Sequence, residues 1–177
     1  MFVRDFIHVA RPFQSVAPSF LRDPRWLGPI VDEAVCEAAR VSRALVGSPD
    51  PTSDAGASIE AAPGVRLDRG AVRSRVRGLV VPIFWENNVE RTWFPAISGD
   101  LEIAPIGLSA SELVLSASYR SPEALNRPAD GPLDDPVPES ATADPALVHR
   151  VVETGVRAFL QNLAVALEAG LTGGPER

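Results

Sequence analysis

The chain reads as an α+β domain in which an antiparallel sheet lies against one long C-terminal helix. Three observations predict this. From Asp144 to Leu167, Val148, Val152, Val156, Phe159, Leu163 and Leu167 recur at steps of three and four, which places them on one helix face. From Val65 to Tyr119 the pattern changes to short apolar runs with strand parity, separated by Gly, Asp and Asn. A greasy stripe of that length has to be covered, and the strands just before it are the available cover.

Taken in order, Phe2 to Val9 is a strand with Val3, Ile7 and Val9 on one side and Phe2, Phe6 and His8 on the other. Pro12 opens a helical turn running to Leu21, Asp23-Pro24 is a second helix start, and Gly28-Pro29 is a third start or a kink. From Pro29 to Val46, Ile30, Ala34, Ala38, Val41 and Leu45 form a helical stripe, and the acids Asp32 and Glu33 near its start suit the helix dipole. Residues 47–63 are rich in Gly, Pro, Ser, Asp and Ala and read as a flexible loop.

A strand begins at Val65, and Asp68-Arg69-Gly70 reads as a turn. In Ala71 to Arg77, Val72 and Val76 alternate with Arg73, Arg75 and Arg77, which predicts one apolar and one guanidinium face. Gly78 breaks that alternation and reads as a bulge; Leu79 to Trp85 is apolar on both parities, with Pro82 marking an edge or bulged position. Glu86-Asn87-Asn88 reads as a turn. Trp93 to Ile97 and Leu101 to Ile106 read as two pieces of one strand bent at Ser98-Gly99-Asp100. After a turn at Gly107 to Ser111, Glu112 to Tyr119 returns with Leu113, Leu115, Ala117 and Tyr119 on one face and Val114, Ser116 and Ser118 on the other. Residues 121–143, full of Pro and acids, read as a second flexible loop before Asp144 caps the final helix and Pro145 enters its first position. Neither loop divides the chain, because neither flanking piece could bury its own core; residues 1–177 are one domain.

Composition narrows the function. A net charge of −6 with a pI near 4.9 supplies no basic footprint for nucleic acid. All 17 cationic residues are Arg. A single cysteine, Cys36, rules out an internal disulfide and sits among Ala34, Val35 and Ala38 as a small apolar side chain. Arg4, Asp5 and Arg11 interrupt the apolar N-terminal residues, so no signal-peptide core forms, and no apolar run spans a bilayer; the expectation is a cytoplasmic protein. Two histidines with no acid pair make no metal site, no Gly-rich phosphate loop follows a strand, and no nucleophile elbow surrounds a serine, so no cofactor and no metal are expected.

The segments GLVVPIFWENNVERTWFPAISGDLEIAPIG, ELVLSASYRSP and LVHRVVETGVRAFLQNLAVAL, in this element order, resemble actinobacterial members of the START-like (SRPBCC) superfamily, which includes polyketide cyclase/dehydrase and lipid-transport-like proteins. The resemblance implies a helix-grip fold, a curved antiparallel sheet wrapping the long C-terminal helix, with a cavity between them that commonly holds a hydrophobic small molecule or lipid. Its apolar lining would be Val81, Ile83, Trp85, Phe94, Leu115, Tyr119, Val152, Val156, Phe159 and Leu163, residues that serve equally as plain core. Gly155, on the inner side of the helix, hints at space or a close backbone approach there. Glu86, Arg91 and His149 are the candidate polar anchors, beside Trp93 and Glu102. His149 borders the apolar stripe and could serve as an acid or base. The Arg73, Arg75, Arg77 ladder offers a surface for an acidic partner or is a solvated strand face. The reading favours a non-catalytic protein whose partner is a lipid or polyketide-like small molecule. The alternatives are a cyclase/dehydratase-type enzyme, with Glu86, Arg91, Tyr119 or His149 doing acid–base work, and a ligand-free interaction module.

Overall fold

The structure, a computed structural model, describes residues 1–22, 24–46, 65–87, 94–119 and 145–170, with 42–46, 65, 86 and 87 described by main chain alone. The loops expected at 47–63 and 121–143 lie outside these residues, as do Asp23, Arg91, Trp93 and the cap Asp144. The elements are β1 (Phe2–Val9), α1 (Phe13–Leu21), a short 3-10 turn (Pro24–Leu27), α2 (Gly28–Val46), β2 (Val65–Arg69), β3 (Arg73–Arg75), β4 (Gly78–Asn87), β5 (Ile97–Ile106), β6 (Ala110–Tyr119) and α3 (Pro145–Ala169).

Among the described residues six strands form one antiparallel sheet in the order β1-β6-β5-β4-β2, with β3 pairing the start of β4. The sheet is curved and the long C-terminal helix lies against it, the helix-grip arrangement. Register explains the core. Leu79, Ile103, Leu113 and Ile7 pair across four strands, and the next rows are Val81, Leu101, Leu115 and Asp5, then Ile83, Gly99, Ala117 and Val3. Each row shares one face, and that face is buried. Asp5 is the polar member because it sits on the edge strand, where Arg157 of α3 donates from Nε to its carboxylate at 3.1 Å.

Several turns expected from the sequence are strand instead. Asp68 and Arg69 remain paired, opposite Phe84 and Ile83. The irregularity comes just after them: between Arg69↔Ile83 and Arg73↔Val80 the outer strand has one residue more than β4, and the Gly70 N–H donates to the Pro82 carbonyl at 3.0 Å. Pro82 has no N–H to offer that side, so the extra residue falls where a ladder bond is missing. The bulge is therefore at Gly70 opposite Pro82, and Gly78 is instead the first residue of β4, pressed against the Ile103 carbonyl. β3 stops at Arg75, so Val76 and Arg77 form the turn and Val76 is fully exposed rather than inward. Glu86 and Asn87 continue β4. β5 runs unbroken through Ser98-Gly99-Asp100; a side chain at Gly99 would come within 2.4 Å of the Ser116 carbonyl, so close approach of β6 requires glycine there.

The outer face of β4 is covered by charge. Arg73 donates to both carboxylate oxygens of Asp100 at 2.9 and 3.0 Å, and Arg75 to Glu102 at 3.2 Å. These bridges span β4 over Val80, which is 1% exposed. This accounts for an apolar residue at Val80 on the outer parity; Phe84, farther along that face, is exposed.

The predicted α3 stripe is wholly buried, and so are Val151, Ala158, Leu160 and Ala164 beside it. The wider band has a simple cause: α3 packs on α2 as well as on the sheet through β1 and β6. The α2 stripe supplies Ile30, Ala34 and Ala38, joined by Val31 and Val35. At its end α3 is fastened to the β1–α1 connection, where Arg11 donates to the Leu167 and Glu168 carbonyls at 3.3 Å and the Ala10 N–H donates to the Glu168 carboxylate at 2.7 Å.

Candidate functional site: the interior between sheet and helix

All ten predicted lining residues converge in one apolar cluster between sheet and helices. β4 contributes Val81, Ile83 and Trp85 on one parity, β6 contributes Leu115 and Tyr119, and α3 contributes Val152, Val156, Phe159 and Leu163 on one face. Phe94 arrives from irregular chain ahead of β5. None is more than 2% exposed, so in this conformation the ten fill the interior against one another.

Trp85 is the centre. Phe159 meets its ring edge-on with centroids 5.2 Å apart, and Phe94 stacks beside it at 6.1 Å with an interplanar angle of 29°. The other side of Phe94 rests on Gly155. A Cβ at that position would lie 3.0 Å from Phe94 Cζ and 3.5 Å from the Ala38 methyl of α2. Gly155 is thus where a ring approaches bare helix backbone, the second of the two readings open to a glycine there. Ala38 belongs to the α2 stripe, and that α2 also walls the interior is visible only once α2 and α3 are packed.

Among the described residues one buried side-chain polar atom of the interior is unsatisfied. Trp85 Nε1 is buried with no acceptor among the described residues. An indole N–H only donates, and leaving it unpaired costs about 1–3 kcal/mol. Nothing in the sequence signals this, because pairing depends on what surrounds the ring.

Of the three proposed anchors, one is placed. The Tyr119 hydroxyl is hydrogen-bonded to His149 Nδ1 at 2.6 Å, with the rings stacked at 6.0 Å. His149 accepts this bond in the tautomer that carries its proton on Nε2. Burial raises the Tyr119 hydroxyl above its ordinary value of 10.0, and the Glu153 carboxylate one turn along α3 raises it further. Glu86 is in β4 opposite Arg66, its side chain outside the described residues, and Arg91 and Trp93 lie outside them altogether. Glu102, Arg73 and Arg75 belong to the outer face, in the bridges over β4, while Arg77 lies in the β3–β4 turn. Among the described residues no group of acids, cysteines and histidines is arranged to hold a metal ion. No helix is long and apolar enough to cross a membrane.

Two open concavities lie elsewhere. A groove of about 610 Å³ runs beside the β3–β4 turn between Arg75, Arg77 and Ala104. A shallower one of about 300 Å³ crosses the outer face between Phe2 and Phe84.

No family model matches the chain, and no curated protein matches it. Among solved structures it is similar to the Zhui aromatase/cyclase of Streptomyces sp. R1128, at 15% identity and a TM-score of 0.42, over 97% of this chain and 95% of that one. It is also similar to Ara h 8.0201, at 11% identity and a TM-score of 0.38, over 96% of this chain and 98% of that one. At these scores the likenesses carry no functional weight, and the description of the fold rests on the strand order and helix placement.

Proposed function

We propose that the chain binds a hydrophobic small molecule between the sheet and α3. The observation that carries this reading is the seat of Phe94. Its ring fills the space between Trp85 and the bare backbone of Gly155, and it is carried on irregular chain ahead of Ile97, the first paired residue of β5, rather than on a strand. The described residues around that slot are apolar, as the linings of small-molecule sites mostly are. Apolar ligand surface taken from water supplies the affinity, at about 25 cal/mol per Å² before the costs of association.

The test is native mass spectrometry on the protein as purified, and on Phe94→Ala, with and without added naphthalene. An adduct that leaves only on unfolding supports the reading. Phe94→Ala lowers stability by about 3–5 kcal/mol and takes up naphthalene more tightly than the unsubstituted protein. Uptake by neither protein overturns the reading. A catalytic version draws on the Tyr119–His149 pair, whose 2.6 Å bond is short enough to pass a proton.

A further inference from the structure

We infer that the Trp85 indole N–H is the specificity-determining donor of this interior, and that its ligand is a neutral, flat, apolar molecule bearing one acceptor oxygen. This rests on the reading that the interior takes a ligand at all. Trp85 is 1% exposed on the inner face of β4, opposite Ile97 on one side and Leu67 on the other. Its N–H has no acceptor among the described residues. The contrast with Trp26 is instructive: that indole, only half-buried, donates to the Ser19 carbonyl at 3.2 Å. The deeper indole, where an unmade bond costs more, is the one left open.

The occupant's shape and charge follow from the neighbours. A flat ring already stacks on Trp85 in the form of Phe94, and the helix side of that slot is Gly155 backbone. A planar body that replaces Phe94 inherits both surfaces. The buried polar residues among those described are Ser19 and Ser111, so none of the described residues is a buried cation that would neutralise an anionic ligand. A carbonyl or ether oxygen satisfies the indole; a hydrocarbon of the same outline leaves it unpaired.

The experiment compares methyl naphthyl ketone with its isopropenyl isostere, which replaces C=O by C=CH2 at equal shape. Dissociation constants are measured for both with the unsubstituted chain and with Trp85→Phe. The preference for the ketone over the alkene falls about fivefold in Trp85→Phe, the worth of one net hydrogen bond. Equal preferences in the two proteins overturn the inference while the ligand reading stands. Failure of both probes to bind the unsubstituted chain up to their solubility overturns the ligand reading itself. The Trp85 indole N–H resonance, assigned by substituting Trp26 and Trp93 with Phe in turn, provides a check that needs no folded Trp85 variant. It moves downfield with bound ketone and not with bound alkene; an unmoved signal under saturating ketone overturns the assignment.

Discussion

Tyr119 is the chain's single tyrosine and every one of its 17 basic side chains is an arginine, so its alkaline titration is unusually clean. Without lysine, few groups besides this phenol lose protons near pH 10. Burial and the Glu153 charge hold its folded value above 10.0. Below the ordinary value both folded and unfolded chains keep the proton, and the protein has its full stability. Above it the unfolded chain ionises first and binds fewer protons, so stability falls as pH rises through the folded value. Tyr119→Phe removes this slope. Urea unfolding from about pH 9 to about pH 11 shows a declining midpoint for the unsubstituted chain and a flatter one for the variant, while tyrosinate absorbance locates the folded titration. Parallel declines in the two proteins show that the slope does not come from Tyr119.

At the scale of the element, glycine placement decides how the sheet bends. The Gly99 row has small residues at its centre, Gly99 beside Ala117, between Ile83 and Val3. Gly99→Val drives a side chain toward the Ser116 carbonyl and the Ala117 Cβ, which lie 2.4 and 2.6 Å from the added Cβ position. It lowers stability by about 1–3 kcal/mol or more. Ser98→Val, one residue away on the exposed outer face, changes it by no more than about 0.5 kcal/mol. Denaturant midpoints of the two variants separate the readings; equal effects mean that the close approach at Gly99 is not what constrains this strand. The sequence made the strands legible through their parity, and β1, β6 and α3 follow it almost residue by residue. What it could not supply was pairing. Asp68-Arg69 and Glu86-Asn87 carry turn-forming residues, yet each is paired with the other's strand across β2 and β4, and that partnership lies about twenty residues away in sequence. The Arg73–Arg75 alternation likewise predicted a charged face without showing that Asp100 and Glu102, two strands over, would meet it.

At the scale of the whole molecule, α3 is the element held from two sides, by α2 and by the sheet through β1 and β6. Arg157 ties it to Asp5, and Arg11 and Glu168 bind its end to the β1–α1 connection. A helix buried on both flanks has no way to open alone, so its central amides, Val152 to Leu163, exchange with solvent only through global unfolding. Hydrogen exchange against denaturant tests this: those amides converge on the unfolding free energy from equilibrium melts, and a markedly lower value shows that α3 detaches on its own. The candidate interior was legible to the same extent as the fold. Helix and strand periodicity selected the ten residues that gather there, but periodicity describes faces and not volumes. It could not tell that Phe94 would occupy the place opposite Gly155, or that the Trp85 nitrogen would find no acceptor among the described residues.

The bulge at Gly70 has a consequence for how copies of the chain meet. It divides the outermost rim into a piece of five residues and a piece of three, β2 and β3, with a kink between them. A strand from a neighbouring molecule that docked there would lose its hydrogen-bond register at the kink. The rim therefore makes a poor template for fibre-like polymerisation.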